Sequence, residues 1–205
     1  MDANQPQAWT RTARLLHWGM ALAVLVEVPA GFAMAWTYGS KVAGDQALHL
    51  RASQTHHTLG MLILLAVLYR LFWRWKHGAP ALPGGTAAWQ RLAARGTQAA
   101  LYLLLLLIPL SGWAALSALG AGGGYPAPEM WFFTHDGFAS GLIPHLVEPH
   151  PWNAKVLLGY GLFARAHVYM LMLGGVLVLV HGLAALYHHF IRRDGVLRQM
   201  WSGRP

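Results

Sequence analysis

AHVYMLMLGGVLVLVHGLAALYHHFI, residues 166–191, decides the fold. It is long enough to cross a bilayer, which takes about 20 residues of apolar helix. It also carries His167 and His181 within a largely apolar run, where a polar ring needs a reason. The two histidines are 14 residues apart. At about 3.6 residues per turn this is close to four turns, so both point to one side of the helix, about 21 Å apart along it at about 1.5 Å per residue. One helix thus presents two ligand-type side chains at two depths of a membrane.

Working outward, three more runs are long enough to span, at roughly 15–36, 56–75 and 99–119. The expected fold is all-α, an integral membrane four-helix bundle, with 1–205 as a single transmembrane domain. Composition agrees: 56% of residues are hydrophobic and only 11% charged, against about 25% charged in soluble domains. The length leaves no room for a separate enzyme domain. The chain has no cysteine, which excludes disulfides, covalent haem attachment, cysteine-ligated iron–sulfur clusters and a cysteine nucleophile. Residues 77–95 read as a Pro/Gly-rich connector followed by a short amphipathic piece. Residues 120–165 form a long loop, a length that usually signals function or a partner.

The net charge of +8 does not indicate nucleic acid, because the basic residues flank apolar runs instead of forming a patch. Eleven of the fifteen Lys and Arg, among them Arg11, Arg14, Arg70, Arg74, Arg192 and Arg193, fall on one side. Lys41, Arg51, Lys155 and Arg165 fall on the other. The positive-inside rule then puts both termini in the cytoplasm and the long loop outside. Trp18, Trp36, Trp73 and Trp75 lie near helix ends, as an interfacial belt does. The first run has no A-x-A-like cleavage site and contains His17 and Glu27, which suits a retained helix.

Topology pairs the histidines. The first helix enters from the cytoplasm, so His17 lies at the depth of His181. The second enters from outside, with His56 and His57 at its start, so His56 lies at the depth of His167. Two depth-matched pairs describe two bis-histidine haems stacked across a membrane. His56 and His57 differ by about 100° around a helix, so they cannot share a face. Gly60, one turn after His56, favours His56 by leaving space for a flat macrocycle; His57 is the alternative. Gly174 and Gly175 would make a similar notch in the fourth helix, although glycine is also an ordinary packing device there.

RLLHW at 14–18, HxxxG at 56–60, LYRLFWR at 68–74, IPLSGW at 108–113, the His167/His181 spacing and ALYHHF at 185–190 together resemble the bacterial cytochrome b561 family. The likeness covers roughly residues 8–200 and is most specific in the second and fourth helices. It implies two non-covalent b haems on His17, His56, His167 and His181, placement in the bacterial inner membrane, and electron exchange with ubiquinone. Some members are superoxide oxidases, in which superoxide gives its electron through the haems to quinone. The resemblance makes His188 a candidate quinone contact.

Other residues carry paired readings. Arg70, on the ligand face of its helix, is either a quinone or haem-propionate contact or a positive-inside anchor; Arg74 reads first as an anchor. Glu27, two residues before Pro29, is a proton relay, a haem-edge contact, or an acid bonded to backbone loosened by the proline. The outer cations could draw superoxide, but ordinary loop solvation serves as well. His135, His145 and His150 show no ligand spacing. The third helix, with Pro109 and Gly112 but no histidine, reads as a packing wall. The leading function is electron transfer between superoxide and ubiquinone. The alternatives are a haem-b relay subunit docked to a dehydrogenase, hydrogenase or soluble cytochrome through Trp131, Phe132 and Phe133, and a haem-free proton-coupled transporter.

Overall fold

The structure, a computed structural model, describes residues 8–82, 84–119, 130–132, 137–151 and 153–203. The described residues are helical, with no strand among them. Four long helices, α1 (Arg11–Thr37), α2 (Asp45–His77), α3 (Ala88–Leu119) and α4 (Tyr160–Tyr187), form a membrane four-helix bundle. A π-helical turn, His188–Arg192, extends α4, and a short helix α5 (Val196–Trp201) follows. The four spans, α4 counted with its π turn, have 27 to 33 residues and are apolar enough to cross a membrane.

The helices outrun the apolar stretches that announce them, because their ends are polar but well capped. Thr10 Oγ1 accepts from Ala13 N at 3.2 Å, an N-cap on α1. Asp45 begins α2, and Arg74, Lys76 and His77 close it, charges that suit the helix dipole. Gly78, at φ 72°, then stops α2, its N–H donating to the Arg74 carbonyl at 2.9 Å, as a left-handed glycine cap does. Gln90 reaches back to Ala87 N at 3.1 Å and starts α3 ahead of its apolar run. His56 and His57 therefore lie eleven and twelve residues after Asp45, well inside α2 and not at its mouth. The amphipathic piece expected before the third helix is its first turns.

The chain forms two compact units, each with segments of all four long helices. The first holds the chain up to Met20, Ala66–Leu106 and the chain from Leu171 onward. Ala13, Met20, Val67 and Leu104 are buried in it, along with Arg70. Arg14 donates to the Trp201 carbonyl at 3.0 Å and Trp18 Nε1 to the Met200 carbonyl at 3.1 Å. These bonds dock α5 on α1. Trp73 Nε1 donates to Thr10 Oγ1 at 2.8 Å, so this tryptophan ties α2 to the α1 cap.

The second unit holds Ala21–Leu65 and Leu107–Met170. Its buried positions include Ala52, Thr58, Ala114, Ala115, Ser117 and Ala118, small residues that let membrane helices approach closely. The described parts of the long loop are anchored on this unit. Met130, Phe138 and Ile143 bury against Met61, Trp113 and Leu116. Trp131 N donates to Thr58 Oγ1 and Leu146 N to Ser117 Oγ, both at 3.1 Å. Leu22, Leu25 and Phe32 on α1, and Leu173, Val176 and Leu179 on α4, are all more than half exposed. An apolar surface of that extent is at home in lipid, not water.

Candidate functional site

In the second unit, α2 and α4 bring the His56 and His167 rings together, with centroids 6.0 Å apart and planes at 76°. His56, not His57, is the ring that meets His167. In the first unit, α1 and α4 bring His17 and His181 to 6.1 Å, with planes at 74°. The pairs expected from topology are thus the pairs that meet.

These separations fit a ligand pair on one metal. An imidazole nitrogen lies about 2 Å from a metal it binds, which puts two opposed nitrogens about 4 Å apart; about 1.1 Å more to each ring centre gives about 6 Å. Among the described residues no cluster of three or more His, Cys, Asp or Glu could hold a bare ion. A histidine pair alone suits a group that brings its remaining ligands, as a haem does.

The surroundings of His167 and His56 aim one ring nitrogen of each away from the pair. His167 Nδ1 lies 2.8 Å from the Ile108 carbonyl and 3.1 Å from Ser111 Oγ. Ser111 is itself held by donation to the same carbonyl at 2.7 Å. Backbone carbonyls commonly fix the tautomer of a ligating histidine in this way, leaving Nε2 for the metal. A Cβ at Gly112 would come within 3.2 Å of the His167 ring. The third helix is therefore more than a packing wall: IPLSGW is the seat of His167.

His56 has a different neighbour. Its Nδ1 lies 3.0 Å from Glu27 Oε1, with the side chains 18% and 14% exposed. His56 Nδ1 and Glu27 Oε2 are buried polar atoms without a conventional hydrogen bond. A Cβ at Gly31 would lie 3.0 Å from His56 Nδ1 and Cε1, and one at Gly60 would lie 3.2 Å from Glu27 Oε1. Gly60 thus makes room for the Glu27 carboxylate, where macrocycle space was expected. At Gly175 a Cβ would meet nothing within 4 Å. The sequence signal for Gly31 was its place one turn after Glu27 on α1.

In the first unit the Arg70 guanidinium is buried. It donates through Nε to Tyr102 OH at 3.0 Å and through a terminal nitrogen to the Ala13 carbonyl. Arg74 lies over the Trp9 and Tyr102 rings, 5.9 and 5.5 Å from their centroids, and reaches Gln98 at 3.3 Å. It is a packed cation, not only a flanking anchor. His188, in the π turn, places Nδ1 2.5 Å from Asp194 Oδ2. His145 stacks on Phe138 at 4.3 Å and lies 3.2 Å from the Ser117 carbonyl, a structural role. His150 donates its backbone N–H to Ala118. Trp131 and Phe132 are exposed; His135 and Phe133 lie outside the described residues.

A family profile described as prokaryotic cytochrome b561 matches residues 8–203. The chain belongs to the prokaryotic cytochrome b561 family. It is a multi-pass membrane protein of haem-b electron transfer, which sets aside the haem-free transporter. Among its relatives are two Escherichia coli K12 proteins, cytochrome b561 homolog 1 and homolog 2. They are 26% and 27% identical to this chain, each over 96% of it and over 98% and 93% of their own lengths. Cytochrome b562 of Cereibacter sphaeroides is 28% identical, over 98% of this chain and 99% of its own.

Proposed function

We propose that the protein is a di-haem cytochrome of the bacterial inner membrane that passes electrons from superoxide to ubiquinone, with both termini in the cytoplasm. The observation that carries this reading is the pair of histidine pairs, at 6.1 and 6.0 Å, each at the separation one iron requires. His17 and His181 would hold one haem b, and His56 and His167 the other. Each haem, when bound, supplies a one-electron carrier. Two superoxide anions would each give up one electron and leave as dioxygen. The quinone would take both electrons with two protons to become quinol.

The chain's own residues hold and orient. Asp194 at His188 Nδ1 leaves Nε2 as the atom free to meet a quinone oxygen. Arg70 is a fixed donor in the unit that holds His17 and His181, suited to a propionate or a quinone oxygen. Lys41, Arg51, Lys155 and Arg165 make the proposed outer side attractive to a small anion.

Stopped-flow mixing of superoxide with purified protein and oxidised ubiquinone tests the reading. Rapid haem reduction followed by quinol formation is the expected result. A protein inert to superoxide but reduced by a co-purifying partner would instead be a relay subunit, the second reading, which the exposure of Trp131 and Phe132 favours.

A further inference from the structure

We infer that Glu27 is a positioning residue for His56, and that its carboxylate holds the potential of the His56/His167 haem down. The inference rests on the reading of His56 and His167 as ligands and goes beyond it. Two helices contribute to the arrangement. Glu27 Oε1 on α1 stands 3.0 Å from His56 Nδ1 on α2. Gly31, one turn on in α1, leaves the space that the His56 ring fills, and Gly60, one turn on in α2, leaves the space that Glu27 fills. Two glycines on two helices thus frame one acid–imidazole pair, and a side chain at either would press on it.

The chemistry follows from charge. A carboxylate 3.0 Å from the outer nitrogen of a ligating imidazole acts on it through its charge, with no conventional hydrogen bond, and makes the metal-facing nitrogen a stronger donor. A stronger donor stabilises the ferric over the ferrous ion, so the potential falls. His167 has instead the neutral Ile108 carbonyl and Ser111 hydroxyl at its Nδ1, a weaker pull of the same kind. Of the two histidines that would hold the haem here, His56 would be the stronger donor and His167 the ordinary one. A carboxylate in a membrane segment is expensive, and a tuning role gives this one a reason.

The test is a redox titration of the holoprotein and of E27Q and E27D, with haem per chain measured for each. E27Q keeps the volume and removes the charge. It should shift the reduction equilibrium of one haem about tenfold toward ferrous, a rise of about 59 mV for a one-electron couple. The other haem should stay where it was, and E27D should restore most of the change. Two haems present in E27Q with both potentials unchanged would overturn the inference and leave the ligand assignment standing. Retention of both haems in H56A would instead sink the assignment itself. Should E27Q fail to load haem, H17A, which keeps only the His56/His167 site, still decides the matter. Its ferric EPR spectrum should show the strong axial field of imidazolate-like ligation, and an ordinary bis-imidazole spectrum would overturn the role of Glu27.

Discussion

At the residue scale, glycines decide whether the imidazoles of the second unit can sit where they do. A methyl at residue 31 would press on the His56 ring, and one at residue 112 on His167. G31A and G112A should each lower the haem content from near two per chain toward one; a pyridine haemochrome assay on purified protein reads this directly. Ser111→Ala should keep both haems and cost about 1 kcal/mol, the worth of one ordinary hydrogen bond, seen as a small fall in melting temperature. Replacing His56 should empty a site that replacing His57 leaves filled. That His17 meets His181 and His56 meets His167 was legible from spacing and side of entry, with Gly60 choosing His56 over His57, since helical periodicity fixes both depth and face. The other neighbours of these rings were not. Whether Gly60 faces a macrocycle or the Glu27 carboxylate depends on how far α1 is rotated, and a single sequence does not encode that rotation in any local pattern.

At the element scale, the α-helices were visible wherever apolarity was, and invisible where capping did the work. The first turns of α2 and α3 are polar, so hydropathy placed their starts eleven residues late in each case, at 56 for Asp45 and at 99 for Ala88. The α5 helix has only six residues, too few to show as a periodic run, and it is held by Trp18 and Arg14 of α1. W18F should therefore loosen the C-terminal segment, with an expected cost of about 1 kcal/mol and faster amide exchange across Val196–Trp201. The motif IPLSGW looked like packing because no ligand type occurs in it; its part is played by a backbone carbonyl, which residue identity does not display. Arg70 ties α2 to α1 and α3 through the Ala13 carbonyl and Tyr102. R70M should cost about 2 kcal/mol by removing the donor from both, measurable as a lower midpoint of thermal haem loss.

At the scale of the whole molecule, composition agrees with the membrane class, and the positive-inside count supports the orientation proposed. The chain lacks cysteine, so single introduced cysteines report topology cleanly. L157C, at a loop position 84% exposed, should react with a membrane-impermeant maleimide in intact spheroplasts, and R95C should react only after permeabilisation; the reverse pattern would invert the assignment. Family membership establishes haem-b electron transfer. The central claim is that two histidine pairs hold two haems. The most direct measurement is haem stoichiometry with ferric EPR on the pure wild-type chain beside H17A and H167A. Two b haems per chain, both low-spin bis-histidine, with a different one lost in each variant, is the predicted result. One haem in the wild type, or the same signal lost in both variants, would contradict it.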